Sequence, residues 1–236
     1  MKKIDINCDV GEGVNNEERL LPFIQSCNIA CGGHAGDKQL MRKIVKLALT
    51  YKVKIGAHPS YPDKENFGRK SINISSSELK LSIQKQLHIL NTIINDEGGK
   101  LHHMKPHGAL YNDIAKNAAL SLVFLEAIVN YKNITKLVVP FSSIIAKNAL
   151  KQGFSIIYEG FADRNYNNDL SLVSRSEKNA VLTDISQIEK HVKGMLFNDE
   201  VTTILGNIVA IKATTFCVHS DTENAVEIVQ KLSKLF

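Results

Sequence analysis

Tryptophan is absent, and no stretch of the chain is both long and apolar. The second absence excludes more. A membrane helix needs ~20 consecutive apolar residues, and none is found, so no membrane partner is expected. The N-terminal MKKIDINCDV has two lysines but no apolar segment behind them, unlike a secretory signal. A cytoplasmic protein is the expectation. Lys and Arg outnumber Asp and Glu by 29 to 24, a net charge of +5, yet no five basic residues run together. Nucleic-acid binders concentrate such charge in stripes with interleaved aromatics, so no nucleic-acid partner is expected either. Cys8, Cys27, Cys31 and Cys217 form no C-x-x-C pair. That removes the common zinc-ribbon and thioredoxin spacings, and their apolar neighbours suit buried free thiols.

The familiar catalytic signatures are missing too. No G-x-x-x-x-G-K-[ST] loop is present to cradle a nucleotide. GEGVNN supplies Gly11 and Gly13, but Asn16 stands where a dinucleotide fingerprint needs its third glycine. No G-x-S-x-G elbow occurs. His103 and His107 are four apart, but Pro106 between them forbids the helix that would align them, so they are not an H-E-x-x-H site.

What is present is an alternation. Short apolar, β-branched runs are expected as strands at Lys3–Asn7, Cys27–Cys31, Val53–His58, Leu101–Lys105, Lys136–Pro140, Ser155–Glu159 and Thr215–His219. Several read as apolar on both faces, as in parallel strands covered by helices. Helical patterns lie between them. Asp37 is placed to cap a helix with Leu40, Met41, Ile44, Leu47 and Ala48 on one face. Ser75 and Glu78 make a capping-box pattern ahead of Leu79, Ile83, Leu87 and Leu90. Ser142 or Ser143 opens another helix, Asp184 and Gln187 the next, and Asp221 or Thr222 the last. With no Pro/Gly/Ser linker or internal repeat, the 236 residues are expected to form one domain, 1–236. The fold class is α/β, as an irregular, about seven-stranded β/α barrel in preference to an open sheet.

Polar residues gather just after these strands: Asn7, Asp9 and Glu12; His34 and Asp37; His58; Lys105 and His107, with Tyr111 beyond; Glu159, Asp163 and Arg164; His219 and Asp221. In parallel α/β folds the C-terminal strand ends share one face, where sites are built. Six strand ends supplying titratable groups point to one pocket. Individually, several have plainer explanations. Asp37 and Asp221 stand where helix caps belong. Gly32, Gly33 and Gly36 shape a turn, or leave a helix N-terminus open to an anion. His88, His102 and His191 read as structural. The pooled set suits hydrolysis of an amide or an acyl phosphate. Asp9 or Glu12 would activate water, an imidazole would move protons near neutrality, and Lys105 and Arg164 would hold a carboxylate or phosphate.

Eight blocks appear in order: DINCDVGEG (5–13), NIACGGHAGD (28–37), GAHPSYPD (56–63), FGRK (67–70), MKPHGALYN (104–112), EGFADRNY (159–166), LVSRS (172–176) and FCVHSDT (216–222). Together they resemble the LamB/YcsF family over essentially the whole chain. The resemblance implies a deacetylase-like (β/α) barrel. It also implies opening of the 5-oxo-L-proline lactam to L-glutamate, with ATP, accompanied by magnesium, as co-substrate. The chain would work with subunits B and C of a 5-oxoprolinase. Ring amides resist direct hydrolysis, so phosphorylation of the lactam oxygen before attack by water makes chemical sense. On this reading Asp9, His34, His58, Lys105 and His107 are catalytic. Asn7, Glu12, Gly36, Asp37, Tyr111, Glu159, Asp163, Arg164, His219 and Asp221 bind substrate or phosphate. The three catalytic histidines shuttle protons or bind a metal.

Some positions depart from the family pattern. Gly33 stands where Phe is common, which would widen the pocket; Ser60 and Ser220 replace glycines, and Thr214 an aspartate. Two other functions fit the same residues: a metal-dependent deacetylase or amidohydrolase, and a non-catalytic subunit that binds a small acid for a partner.

Overall fold

The computed structural model describes residues 4–235. Its elements in chain order are β1 (Ile6–Val10), α1 (Glu17–Leu20), β2 (Ser26–Ala30), α2 (Lys38–Thr50), β3 (Lys54–His58), α3 (Ser76–Asp96), β4 (Leu101–Met104), α4 (Gly108–Lys116), α5 (Ala118–Ala127), β5 (Lys136–Pro140), α6 (Ile144–Lys151), β6 (Ile156–Phe161), α7 (Ile185–Phe197), β7 (Glu200–Thr202), β8 (Ile208–Ala210), β9 (Thr215–Cys217) and α8 (Ala225–Leu235). Seven parallel strands close into a barrel in the order β1-β2-β3-β4-β5-β6-β9. An antiparallel β7–β8 hairpin, unforeseen in the sequence, lies apart from it.

All seven expected strands are present, β5 at its expected bounds and the others with shifted ends. The first runs over Ile6–Val10 rather than Lys3–Asn7, and Lys3 lies outside the described residues. The expectation of strands apolar on both faces needs correction. Cys8, Cys27, Ile29, Ala57, Met104, Leu137, Val139 and Phe216 are buried in the hydrophobic core. The alternate residues, Asn7, Asp9, Asn28, His58, His103, Lys105, Glu159 and Thr215, bond to one another across the strands. Period-2 alternation puts each set on its own face. The interior of this barrel is therefore a polar network. Such a network is stable only when its members find partners.

Register aligns this interior in layers. Asp9 pairs with Asn28, Asn28 with Gly56, and Gly56 with His103 across four strands. A Cβ on Gly56 would stand 2.1 Å from His103 Nε2. Glycine at that position is what lets the imidazole cross the barrel to Asn28.

The helices form as their caps dictate. The Asp37 side chain accepts the Leu40 N–H, and Ser75 with Glu78 completes the capping box. Behind these caps α2 buries Met41, Ile44, Val45 and Ala48, and α3 buries Leu79, Ile83, Leu87 and Leu90. Each large aliphatic side chain among them contributes about 1.5–3 kcal/mol on burial. Ser143, not Ser142, caps α6; Ser142 sits at φ 61°. Neither Asp221 nor Thr222 opens α8, which begins at Ala225. Their side chains are engaged elsewhere: Asp221 with Arg69 and Arg175, Thr222 with Asp163. No helix among the described residues is long and apolar enough to cross a membrane.

Candidate active site

At the C-terminal end of the barrel is a cavity of about 330 Å³. Asp9, Glu12, His58, Lys105, His107, Tyr111, Arg164 and His219 all line it. Loops following β1, β3, β4, β6 and β9 thus converge on one space. The stretch HMKPHGALYN makes one of these corners. β4 ends at Met104, Lys105 points inward, Pro106 breaks the chain, and α4 begins at Gly108.

Lys105 is almost wholly buried, at 2% exposure. Its ammonium donates to Asp9 Oδ1 at 3.0 Å, lies 2.9 Å from Glu159 Oε1, and is 3.1 Å from Cys217 Sγ. Burial opposes its charge, but Asp9 and the other acidic groups around it hold its pKa well above that of a free lysine. Asp9 also accepts from Asn28 Nδ2 at 2.8 Å and stands 3.4 Å from His58 Nε2. Burial raises its carboxyl, but His58 and Lys105 outweigh that and hold it well below the usual carboxylate range. It is an ionised acceptor at the cavity wall.

Asn28 itself is held by a relay that sequence reading missed. His102 Nδ1 lies 3.0 Å from His103 Nδ1, and His103 Nε2 lies 2.8 Å from Asn28 Oδ1. Because the Asn28 amide nitrogen is given to Asn7 and Asp9, its oxygen must accept from His103. Asn28 heads the NIACGGHAGD block, but only its inward parity on β2 points it at this relay.

Beside Asp9 is a cluster of three imidazoles and a carboxylate. Glu12 Oε1 lies 2.8 Å from His34 Nε2, 3.1 Å from His107 Nδ1 and 3.7 Å from His58 Nε2. The His34 and His107 rings stack in parallel at 3.6 Å. Burial raises the Glu12 carboxyl, but its bonds to His107 and His34 bring it far below its ordinary value. Burial pushes His34 down to about 4 and lowers His107 as well. In His58 burial works the same way, but Asp9 and Glu12 overcome it and its pKa is raised. Among the described residues, two sets present metal-ligand atoms within 4.8 Å of one another: Glu12, His34, His58 and His107, and Asp9, Cys217 and His219.

The remaining predicted residues fall into two groups. Glu159 lies beneath Lys105 and lines an adjoining cavity of about 220 Å³. Asp163, fully buried, accepts from the His219 backbone N–H and its Nδ1, both at 2.9 Å, and so fixes that ring. Arg164 gives its guanidinium to the Ala180 and Val173 carbonyls, pinning the 163–182 segment over the cavity. Asn7 packs a layer deeper, between Thr215 and Asn28. Gly36 and Asp37 are not brought into the cavity; Asp37 is exposed and serves as the α2 cap. Asp221 pairs with Arg69 at 2.7 Å and Arg175 at 3.2 Å. Those two arginines line the cavity mouth, although nothing local in FGRK or LVSRS singles them out.

Gly33 does not widen the pocket. A Cβ there would stand 2.4 Å from Ser60 Oγ and 2.5 Å from Gln86 Oε1. The space is filled by Ser60 and by Gln86, which clamps the Ser60 backbone through its N–H and C=O.

Residues 4–236 match the model of the LamB/YcsF family. The chain belongs to the LamB/YcsF family. Its relatives there include proteins named as the A subunit of 5-oxoprolinase. One from Bacillus cereus is 39% identical, over 100% of this chain and 96% of its own length. One from Bacillus thuringiensis subsp. konkukian is 38% identical at the same coverage. A solved structure, the lactam utilization protein of Thermus thermophilus, superposes with a TM-score of 0.90 at 30% identity, covering 98% of this chain and 95% of that one. The LamB/YcsF resemblance seen in the motif blocks is thus borne out over the whole described barrel.

Proposed function

We propose that this chain is the A-type subunit of an ATP-dependent 5-oxoprolinase, acting with subunits B and C to open 5-oxo-L-proline to L-glutamate. The observation that carries the reading is the Asp9–Lys105 pair on a cavity whose mouth is lined by Arg69 and Arg175. An ionised base sits beside a fixed cation, beneath cationic groups suited to a carboxylate or phosphate. The names of the relatives at 38–39% identity supply the substrate and the idea of a complex.

The chemistry runs in balanced steps. ATP transfers its γ-phosphoryl group to the lactam oxygen, releasing ADP with its magnesium. Asp9 takes a proton from water as the oxygen attacks the activated carbon. The C–N bond then breaks, the ring nitrogen leaving with a proton, to give an acyl phosphate. A second water releases phosphate and leaves glutamate. Lys105 offsets the negative charge brought by the phosphoryl group on the oxygen of the attacked carbon.

The test is glutamate and ADP release from 5-oxo-L-proline by the purified chain mixed with subunits B and C. Equimolar glutamate and ADP in the complete mixture, lost without ATP, is the expected result. No glutamate from a verified, folded complex, or release that ignores ATP, overturns the reading.

A further inference from the structure

His58 and His107 face each other with two acceptors where a hydrogen bond needs a donor. His58 Nδ1 lies 2.7 Å from the Lys105 carbonyl oxygen, and His107 Nε2 lies 2.9 Å from the Phe67 carbonyl oxygen. A carbonyl can only accept, so those two nitrogens carry the ring protons of the neutral imidazoles. The other nitrogens, His58 Nε2 and His107 Nδ1, then present lone pairs, and they lie 3.0 Å apart. Glu12 Oε1, a third acceptor, is 3.1 Å from one and 3.7 Å from the other. His34 Nε2, 2.8 Å from Glu12 Oε1, completes the group, its ring stacked on that of His107. Acceptors packed this closely need a cation among them, either an added proton on a ring or a metal ion.

We infer that Glu12, His34, His58 and His107 bind one divalent transition metal ion of the zinc class. Two observations favour the metal over the proton. First, ligand atoms around a tetrahedral ion with bonds of about 2.0–2.1 Å stand roughly 3.3 Å apart, and the separations here are 2.8, 3.0, 3.1 and 3.7 Å. Second, a metal-bound imidazole gives its other N–H to a carbonyl or carboxylate, and the fold already provides this for His58 and His107.

The other candidate set, Asp9, Cys217 and His219, is less suited, because the Lys105 ammonium already stands at Asp9 and Cys217. Binding by His34 requires its ring to tilt off the parallel stack with His107. Imidazole with one carboxylate favours zinc, cobalt, nickel or iron over magnesium. Metal binding here is independent of the reaction proposed above, and either can fail without the other.

The test uses the full chain, stripped with a chelator and titrated with Co²⁺ alone, followed by Zn²⁺. One Co²⁺ per chain is expected, with visible ligand-field absorption that Zn²⁺ abolishes. Zinc-edge X-ray absorption on the wild type should show imidazole scattering and no sulfur. Glu12→Gln and His107→Gln should lower affinity by more than the roughly 10–100-fold that losing an outer partner costs, whereas Cys217→Ser should leave it unchanged. Absence of saturable binding, a sulfur ligand, or undiminished affinity in variants with native circular dichroism overturns the inference. If a variant does not fold, the wild-type zinc spectrum decides alone.

Discussion

The ammonium of Lys105 lies 3.0 Å from the carboxylate of Asp9, and both residues are at least 95% buried. Removing Lys105 takes the buried ammonium from both Asp9 and Glu159. Lys105→Met should therefore cost about 3–5 kcal/mol of stability, read as a lower urea midpoint, and should abolish turnover. A variant as stable as wild type would mean that the pair is better solvated than its burial implies.

Asp9→Asn separates chemistry from folding. The amide is isosteric and keeps an oxygen for Lys105 and Asn28, but it cannot take a proton from water. Turnover by the assembled complex should fall by roughly 10²–10⁴-fold, while circular dichroism stays native. Full activity in this variant would remove Asp9 from the base role.

His103 should make the fold acid-sensitive. Burial pushes its pKa from 6.5 down to about 3. Below pH 6.5 the unfolded chain takes up a proton that the folded chain refuses, so stability falls as pH drops from 6.5 towards 3. The slope from this one group is up to about 1.4 kcal/mol per pH unit. His103→Gln keeps a donor for Asn28 but does not titrate. Its urea midpoint should decline less between about pH 7 and pH 5 than that of wild type. His191, pushed down to about 4 by burial, leaves a residual slope in both proteins.

Gly33, Ser60 and Gln86 form one packing unit. Gly33→Ala places a methyl group against Ser60 Oγ and Gln86 Oε1 and should cost about 1–3 kcal/mol. Ser60→Gly in the same chain removes one of the two obstacles and should recover part of that loss. A double-mutant cycle in thermal unfolding checks it, and simple additivity would show that the two positions do not meet.

Arg175 tests the mouth as an anion site. It is exposed and paired with Asp221, so Arg175→Ala should change stability by no more than about 1 kcal/mol. In the 5-oxoprolinase assay it should raise KM for ATP or 5-oxo-L-proline about tenfold, a loss of about 1.4 kcal/mol, with little change in kcat.

The sequence by itself determined the alternation of strands and helices, most helix caps and the strand ends that meet at the cavity. These are local properties: Ser75 and Glu78 form their capping box within one turn, and Pro106 ends β4 wherever that strand lies. The motif blocks determined the family for the same reason, being contiguous. Tertiary structure decided the rest. Parallel strand order brings Asp9 of β1 beside Lys105 after β4, across 96 residues. Whether Asp221 caps a helix or clamps Arg69, 152 residues away, depends on which partners the closed fold brings within its reach. The polar barrel interior was hidden as well. Asn7, Asn28 and His103 are stable there only because each finds the others, and such mutual satisfaction is a property of the closed barrel. Strand parity could mark those residues as inward-facing, but only closure of β1 against β9 made the inside a site.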